Sequence, residues 1–124
     1  MKSTELRIGN NVDVTIEELS FTDGKITKLC VEHVYVNGVK MRYEHLRPTT
    51  LIKEWWPKFG YESIQEFACD LSEKAENHLG VDIDFYNECG IDLIESLPIH
   101  KIQNLFYELT GEELALIDLK NKQL

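Results

Sequence analysis

The chain lacks any apolar run near the roughly 18 residues that a bilayer-spanning helix needs, so no segment is expected to cross a membrane. Residues 1–10 have no apolar core of the signal-peptide kind, which argues against secretion. Cysteine is scarce. Cys30, Cys69 and Cys89 are odd in number and widely spaced, which points to reduced thiols in the cytoplasm and not to a disulfide framework. No two His or Cys residues stand at zinc-ligand spacing, and a glycine-rich phosphate loop and a G-x-S-x-G elbow are both missing. Bases are in deficit, 13 against 22 acids. Nucleic acid and anionic membranes need Lys and Arg to neutralise phosphate, so direct contact with either is not expected. No cofactor is implied.

What is present is the composition of a globular protein: 124 residues, 43% apolar and 10% aromatic. That suffices for one domain over 1–124 with a real core. The deficit of bases is local. Residues 62–97 hold ten acids (Glu62, Glu66, Asp70, Glu73, Glu76, Asp82, Asp84, Glu88, Asp92 and Glu95) and the single base Lys74, a charge of −9 that equals the net charge of the whole chain. A block of one sign makes a field that draws the opposite charge, so a charged partner should be basic.

The first half reads as β. Leu6, Arg7 and Ile8 look like a short strand entering a turn at Gly9-Asn10. Val12, Val14 and Ile16 alternate with polar residues, as a half-buried strand requires. Asp23-Gly24 signals a turn. Residues 26–36 and 39–46 flank Asn37-Gly38, a strong hairpin signal because a type I′ turn needs positive φ at both central positions. A two-residue loop then pairs Val36 with Val39, Val34 with Met41, Glu32 with Tyr43 and Cys30 with His45. It places Val34, Val36, Val39, Met41 and Tyr43 on the core, with Lys40, Arg42 and Glu44 in water. Short strands in such density suggest a small bent antiparallel sheet, with an SH3-like barrel as its closed form.

Thr50 caps an expected helix through Lys58, stopped by Gly60, with Leu51, Trp55 and Phe59 on one face and Pro57 shortening it. Ser63-Ile64-Gln65-Glu66 has the form of a capping box, and Ile64, Phe67, Ala68, Leu71 and Ala75 follow at helical spacing up to Gly80. Val81, Ile83 and Phe85 alternate with Asp82, Asp84 and Tyr86, which predicts a strand, and residues 91–94 suggest a second. Pro98 opens a last helix, with Ile99, Ile102, Leu105, Phe106 and Leu109 inward and Gly111 closing it. His100, Gln103 and Tyr107 are expected on its outer side. Residues 114–119 read equally as strand or helical turn, and 120–124 as a frayed tail.

Three segments carry a family resemblance: Leu6-Arg7-Ile8-Gly9-Asn10 with Val12; Leu51, Glu54-Trp55 and Lys58-Phe59-Gly60-Tyr61; and His100 to Leu114, with Gln103-Asn104-Leu105, Tyr107 and Leu109-Thr110-Gly111-Glu112-Glu113-Leu114. Together they resemble a family of small uncharacterised proteins of bacterial genomes, phages and mobile elements. The resemblance implies a shared scaffold and a phage-type or mobile-element origin, and it carries over no catalytic residue. Residues 62–97, where that family varies, also hold the charge.

The candidate residues follow from that segment. Glu62, Glu66, Asp70 and Glu73 recur every three or four residues and form one helical stripe, and Asp82 and Asp84, on the strand expected after it, are an extension of that surface. Read blandly, the stripe is a solvated face that aids solubility; read functionally, it is a surface offered to a basic groove. Trp55 fits the inward face of its helix, which leaves the adjacent Trp56 as a lid on the sheet or as an exposed anchor for a partner. Asp82, Asp84 and Glu88 invite a metal reading, but Asn87 and Leu93 stand where a calcium loop needs Gly and Glu. Cys30 facing His45 suggests nucleophilic chemistry, yet no protease signature surrounds them.

The sequence therefore implies an α+β domain: a bent N-terminal sheet, then helices and a short strand pair. Its expected function is non-catalytic: an acidic protein that binds a basic, nucleic-acid-handling host protein, with an inhibitor of a CRISPR effector or another defence nuclease as the concrete form. A small metal-dependent or Cys/His enzyme is the alternative, and a structural or regulatory module the third. Charge reversal of Glu66, Asp70 and Glu73 is expected to abolish partner binding and spare the fold.

Overall fold

The computed structural model describes residues 3–16, 19–51, 53–114 and 116, with the side chains of Ser3, Leu19, Phe21, Thr22 and Asp23 left aside. Residues 117–124 lie outside the described residues, and with them most of the ambiguous stretch after Leu114 and the whole tail. The contacts divide the chain into two compact units, one of 1–50 with 98–104 and one of 51–97 with 105–124.

The first unit is built on a five-stranded antiparallel sheet of order β4-β3-β2-β1-β5. The strands are β1 (Asn11–Ile16), β2 (Leu19–Leu29), β3 (Val34–Val36), β4 (Val39–Met41) and β5 (Leu46–Pro48). The sheet is open, with β4 and β5 as edges, so the closed-barrel form is not adopted. β1 follows its alternation, with Val12 and Val14 buried. Asp23-Gly24 is not a turn. β2 runs straight through it, and Val12 pairs with Gly24 while Val14 pairs with Phe21, a two-against-one bulge that absorbs the extra residue.

At the hairpin Asn37 (φ 53°) and Gly38 (φ 80°) both take positive φ, and the pairs Val36–Val39 and Val34–Met41 form as the loop length requires. The longer pairing does not. Cys30 donates its N–H to the His33 carbonyl and closes a tight turn, so Glu32 and Cys30 never reach a ladder. Residues 43–45 wind into a 3-10 turn, and the Tyr43 hydroxyl donates to the Cys30 carbonyl. Val34, Val36 and Met41 are buried, but Val39 at the tip of the edge strand is 60% exposed. Residues 6–8 are not a strand. Gly9 (φ 98°) turns the chain there, and Asn10 holds the turn by accepting from the Arg7 N–H at 2.6 Å.

The sheet's apolar cluster is Leu6, Val12, Val14, Ile26, Val34, Val36, Met41 and Leu46. Beside it lies a set of buried amides. The Gln103 side chain accepts from the Asn11 N–H and donates to Asn11 Oδ1, both at 2.8 Å. Asn10 Nδ2 donates to Asn104 Oδ1 at 2.9 Å, and Asn104 Nδ2 donates to the Glu5 carbonyl at 2.8 Å. Buried amides are tolerable only when their partners are present, and here they close on one another. Gln103 and His100 are therefore interior residues, 2% and 1% exposed, and not the outer side of the last helix; Tyr107 is exposed as expected.

The second unit is helical: α1 (Trp55–Phe59), α2 (Ile64–Leu79), α3 (Glu88–Glu95) and the later part of α4 (Ile99–Thr110). α1 is shorter than expected and starts after Glu54, with Thr50 playing no part in its cap. Pro57 fits inside it because the third helical position has no amide partner to lose. Ser63 caps α2, its Oγ accepting from the Glu66 N–H at 3.3 Å, while the Glu66 carboxylate accepts at 3.0 Å from the N–H of Glu62, one residue before the cap, and not from that of Ser63 as in a full capping box. Gly80 (φ 71°) ends it.

Neither strand expected between 81 and 94 exists. Residues 81–87 are a loop, tied down where the Phe85 N–H donates to Ser72 Oγ at 2.7 Å. Asn87 then caps α3 by accepting from the Gly90 N–H at 2.7 Å, so the apolar residues Ile91 and Ile94 serve a helix. Gly90 is obligatory there, since a Cβ would lie 2.4 Å from the Phe85 carbonyl oxygen. Phe67 centres the aromatic core, with Trp56 stacked at 4.9 Å, Tyr61 edge-on at 5.2 Å and Phe106 at 5.9 Å.

Candidate functional site

All of the acidic candidates lie in the helical unit, and the structure separates those that serve the fold from those that face water. The Glu66 carboxylate accepts from the Glu62 N–H, one residue before the cap of α2. Asp70 is half-buried, accepts from the Tyr61 hydroxyl and stands 3.5 Å from Lys74 Nζ. Burial, then the hydrogen bond to Asp70, holds the Tyr61 phenol well above its ordinary range, so it stays a proton donor. Lys74 also reaches Glu112 at 3.5 Å and lies over the Phe106 ring at 5.6 Å. The one base of the acidic stretch is thus spent within its own unit. Glu62, Glu73, Glu76, Asp82, Asp84, Glu88, Asp92 and Glu95 are exposed.

The stripe is therefore not a uniform row. Reversing Asp70 would strand the Tyr61 hydroxyl, whereas reversing Glu66 would remove only the bond from the Glu62 N–H, because Ser63 caps the helix through the backbone N–H of residue 66. Glu62, Glu73, Asp82 and Asp84 remain as surface carboxylates, with Asp84 also accepting from the Tyr86 N–H at 2.8 Å in a local turn.

Trp56 is 4% exposed and fills the core against Phe67, so it is not a protruding anchor. Its edge nevertheless meets an open cleft of about 730 Å³ in this unit. Leu51, Pro57 and Ile64 supply the rest of an apolar floor. The rim carries the carboxylates of Glu54, Glu62 and Glu95 against the single ammonium of Lys53. Sequence reasoning identified Glu62 and Trp56 but missed Glu54, Glu95 and Ile64 as members of one site. Only folding brings the end of α3 beside the start of α2.

Among the described residues no three His, Cys, Asp or Glu side chains gather as a metal site. The strand that was to align Asp82 with Asp84 is a loop, and the register that was to set Cys30 opposite His45 does not form. Cys30, Cys69 and Cys89 are all free thiols. No described helix is long and apolar enough to cross a membrane. Comparison with family models, with curated proteins and with solved structures finds no match for the chain.

Proposed function

We propose that the chain is a non-catalytic binding protein whose helical unit presents an acidic surface to a basic protein partner. One observation carries this reading. The stretch 62–97 leaves every one of its acids exposed except the half-buried Asp70, and its only base is already engaged by Asp70 and Glu112. Fixed exposed charge of one sign speeds encounter with an oppositely charged surface and selects against acidic ones. Proteins that handle nucleic acid carry such basic surfaces, so they are the partner class that fits, and a nuclease occupied in its nucleic-acid groove is the specific form. The resemblance to phage and mobile-element proteins favours a host target.

The test is a pull-down from nuclease-treated host lysate, run beside the Glu73→Lys/Glu76→Lys/Asp82→Lys variant. Capture of basic proteins that salt and added nucleic acid both displace is the expected result, with capture lost in the variant. Recovery of acidic proteins alone, or retention indifferent to salt, overturns the reading.

A further inference from the structure

We infer that the cleft beside α1 and the start of α2 seats an arginine-bearing segment of the basic partner, its aliphatic stem on Ile64 and Pro57 and its guanidinium met by the carboxylates of Glu62 and Glu95. The inference rests on the acidic-surface reading and gives it a point of anchorage.

The cleft's size, about 730 Å³, falls within the range of ligand sites and exceeds what one side chain fills. An arginine with a flanking apolar residue matches it. The rim has an excess of carboxylate, three acids to one base, so an anion entering would meet repulsion. The amino-terminal end of α2 opens onto the same cleft and on its own would favour an anion. That pull is blunted, because the Glu66 amide is already taken by Ser63 Oγ and the Glu66 carboxylate stands in the first turn. A metal ion is a poor occupant, since among the described residues no three His, Cys, Asp or Glu side chains gather closely enough to hold one. The combination of apolar floor and acidic rim suits a cation on an aliphatic stem. Arginine suits it better than lysine, because guanidinium is weakly hydrated and forks onto carboxylates.

The experiment is an amide-resolved NMR titration of the full chain, at low salt, with the blocked pentapeptide Gly-Arg-Leu-Arg-Gly. Two further peptides serve as controls, one with Lys for Arg and one with Gly for Leu. Shift changes centred on residues 51–65 and on Glu95 are expected, with binding weakened by either peptide change. Glu62→Gln/Glu95→Gln should weaken binding about fivefold or more, the loss of charge-assisted hydrogen bonds, while Glu76→Gln changes it by less than about twofold. The fold needs the backbone N–H of residue 62, which the substitution keeps.

Shifts confined to residues 73–84 would overturn the arginine cleft and leave the acidic-surface reading standing. A silent cleft in the presence of a partner that the whole protein captures would do the same. Absence of binding to any of the peptides and to any basic protein would remove both.

Discussion

The two units handle polarity in opposite ways. In the sheet unit the informative polar groups are the buried amides of Asn10, Asn11 and Gln103 with the half-buried Asn104, each answered by another at hydrogen-bond distance. In the helical unit they are carboxylates left in water, with one lysine among them already engaged. Buried polarity fixes a structure because a missing partner leaves a desolvated group unsatisfied. Exposed charge costs the fold little and acts at a distance. Sensitivity to mutation should therefore divide between the units, stability in one and association in the other.

The sharpest way to break that comparison is at Gln103. Gln103→Leu leaves the Asn11 N–H and Asn11 Oδ1 without their Gln103 partners, and should lower the unfolding free energy by about 3 kcal/mol in denaturant titration. Gly90→Ala comes next, at about 2 kcal/mol, since its Cβ meets backbone that must move. It marks where the helical unit too depends on close fit. Ser63→Ala should cost about 1 kcal/mol by removing the α2 cap. The surface reversal of Glu73, Glu76 and Asp82 to Lys should shift stability by no more than about 0.5 kcal/mol while abolishing partner binding.

A pH profile sharpens the same contrast. His100 is buried, and its two ring nitrogens have no hydrogen-bond partner among the described residues. Burial pushes its pKa below the usual imidazole range, against the opposing pull of Glu5, whose carboxylate is 3.9 Å from Nε2. The unfolded chain thus binds the proton more readily than the folded one. The stability from a neutral His100 is complete above the ordinary imidazole pKa of about 6.5 and declines as pH falls below it toward the lowered folded value. Thermal midpoints measured from pH 7.5 downward should fall, and His100→Asn should flatten the profile.

What was legible in the sequence was what neighbours in the chain decide. Asn37-Gly38 set its own turn and the first two hairpin pairs, Ser63 and Glu66 their own cap, and Val12 and Val14 their own face. Residues 81–86 misled because alternation of Val81, Ile83 and Phe85 describes a strand and a one-sided loop alike. The Phe85 N–H donates to Ser72 Oγ and not to a neighbouring strand. Gln103 misled because its partner, Asn11, lies 92 positions away. The acidic surface was visible as composition, but its division into Glu66 and Asp70, whose carboxylates bond within the unit, and Glu62, Glu73 and Asp82 on the open surface was not. The cleft was invisible, since Glu54, Glu62 and Glu95 meet only after folding.

The most direct measurement is the dissociation constant of a captured basic partner across a salt series, for the native chain and for the Glu73→Lys/Glu76→Lys/Asp82→Lys variant, with the thermal midpoint of each recorded alongside. Affinity should fall steadily as salt rises, and vanish in the variant while its midpoint stays where it was. Affinity that ignores both salt and the reversal would contradict it.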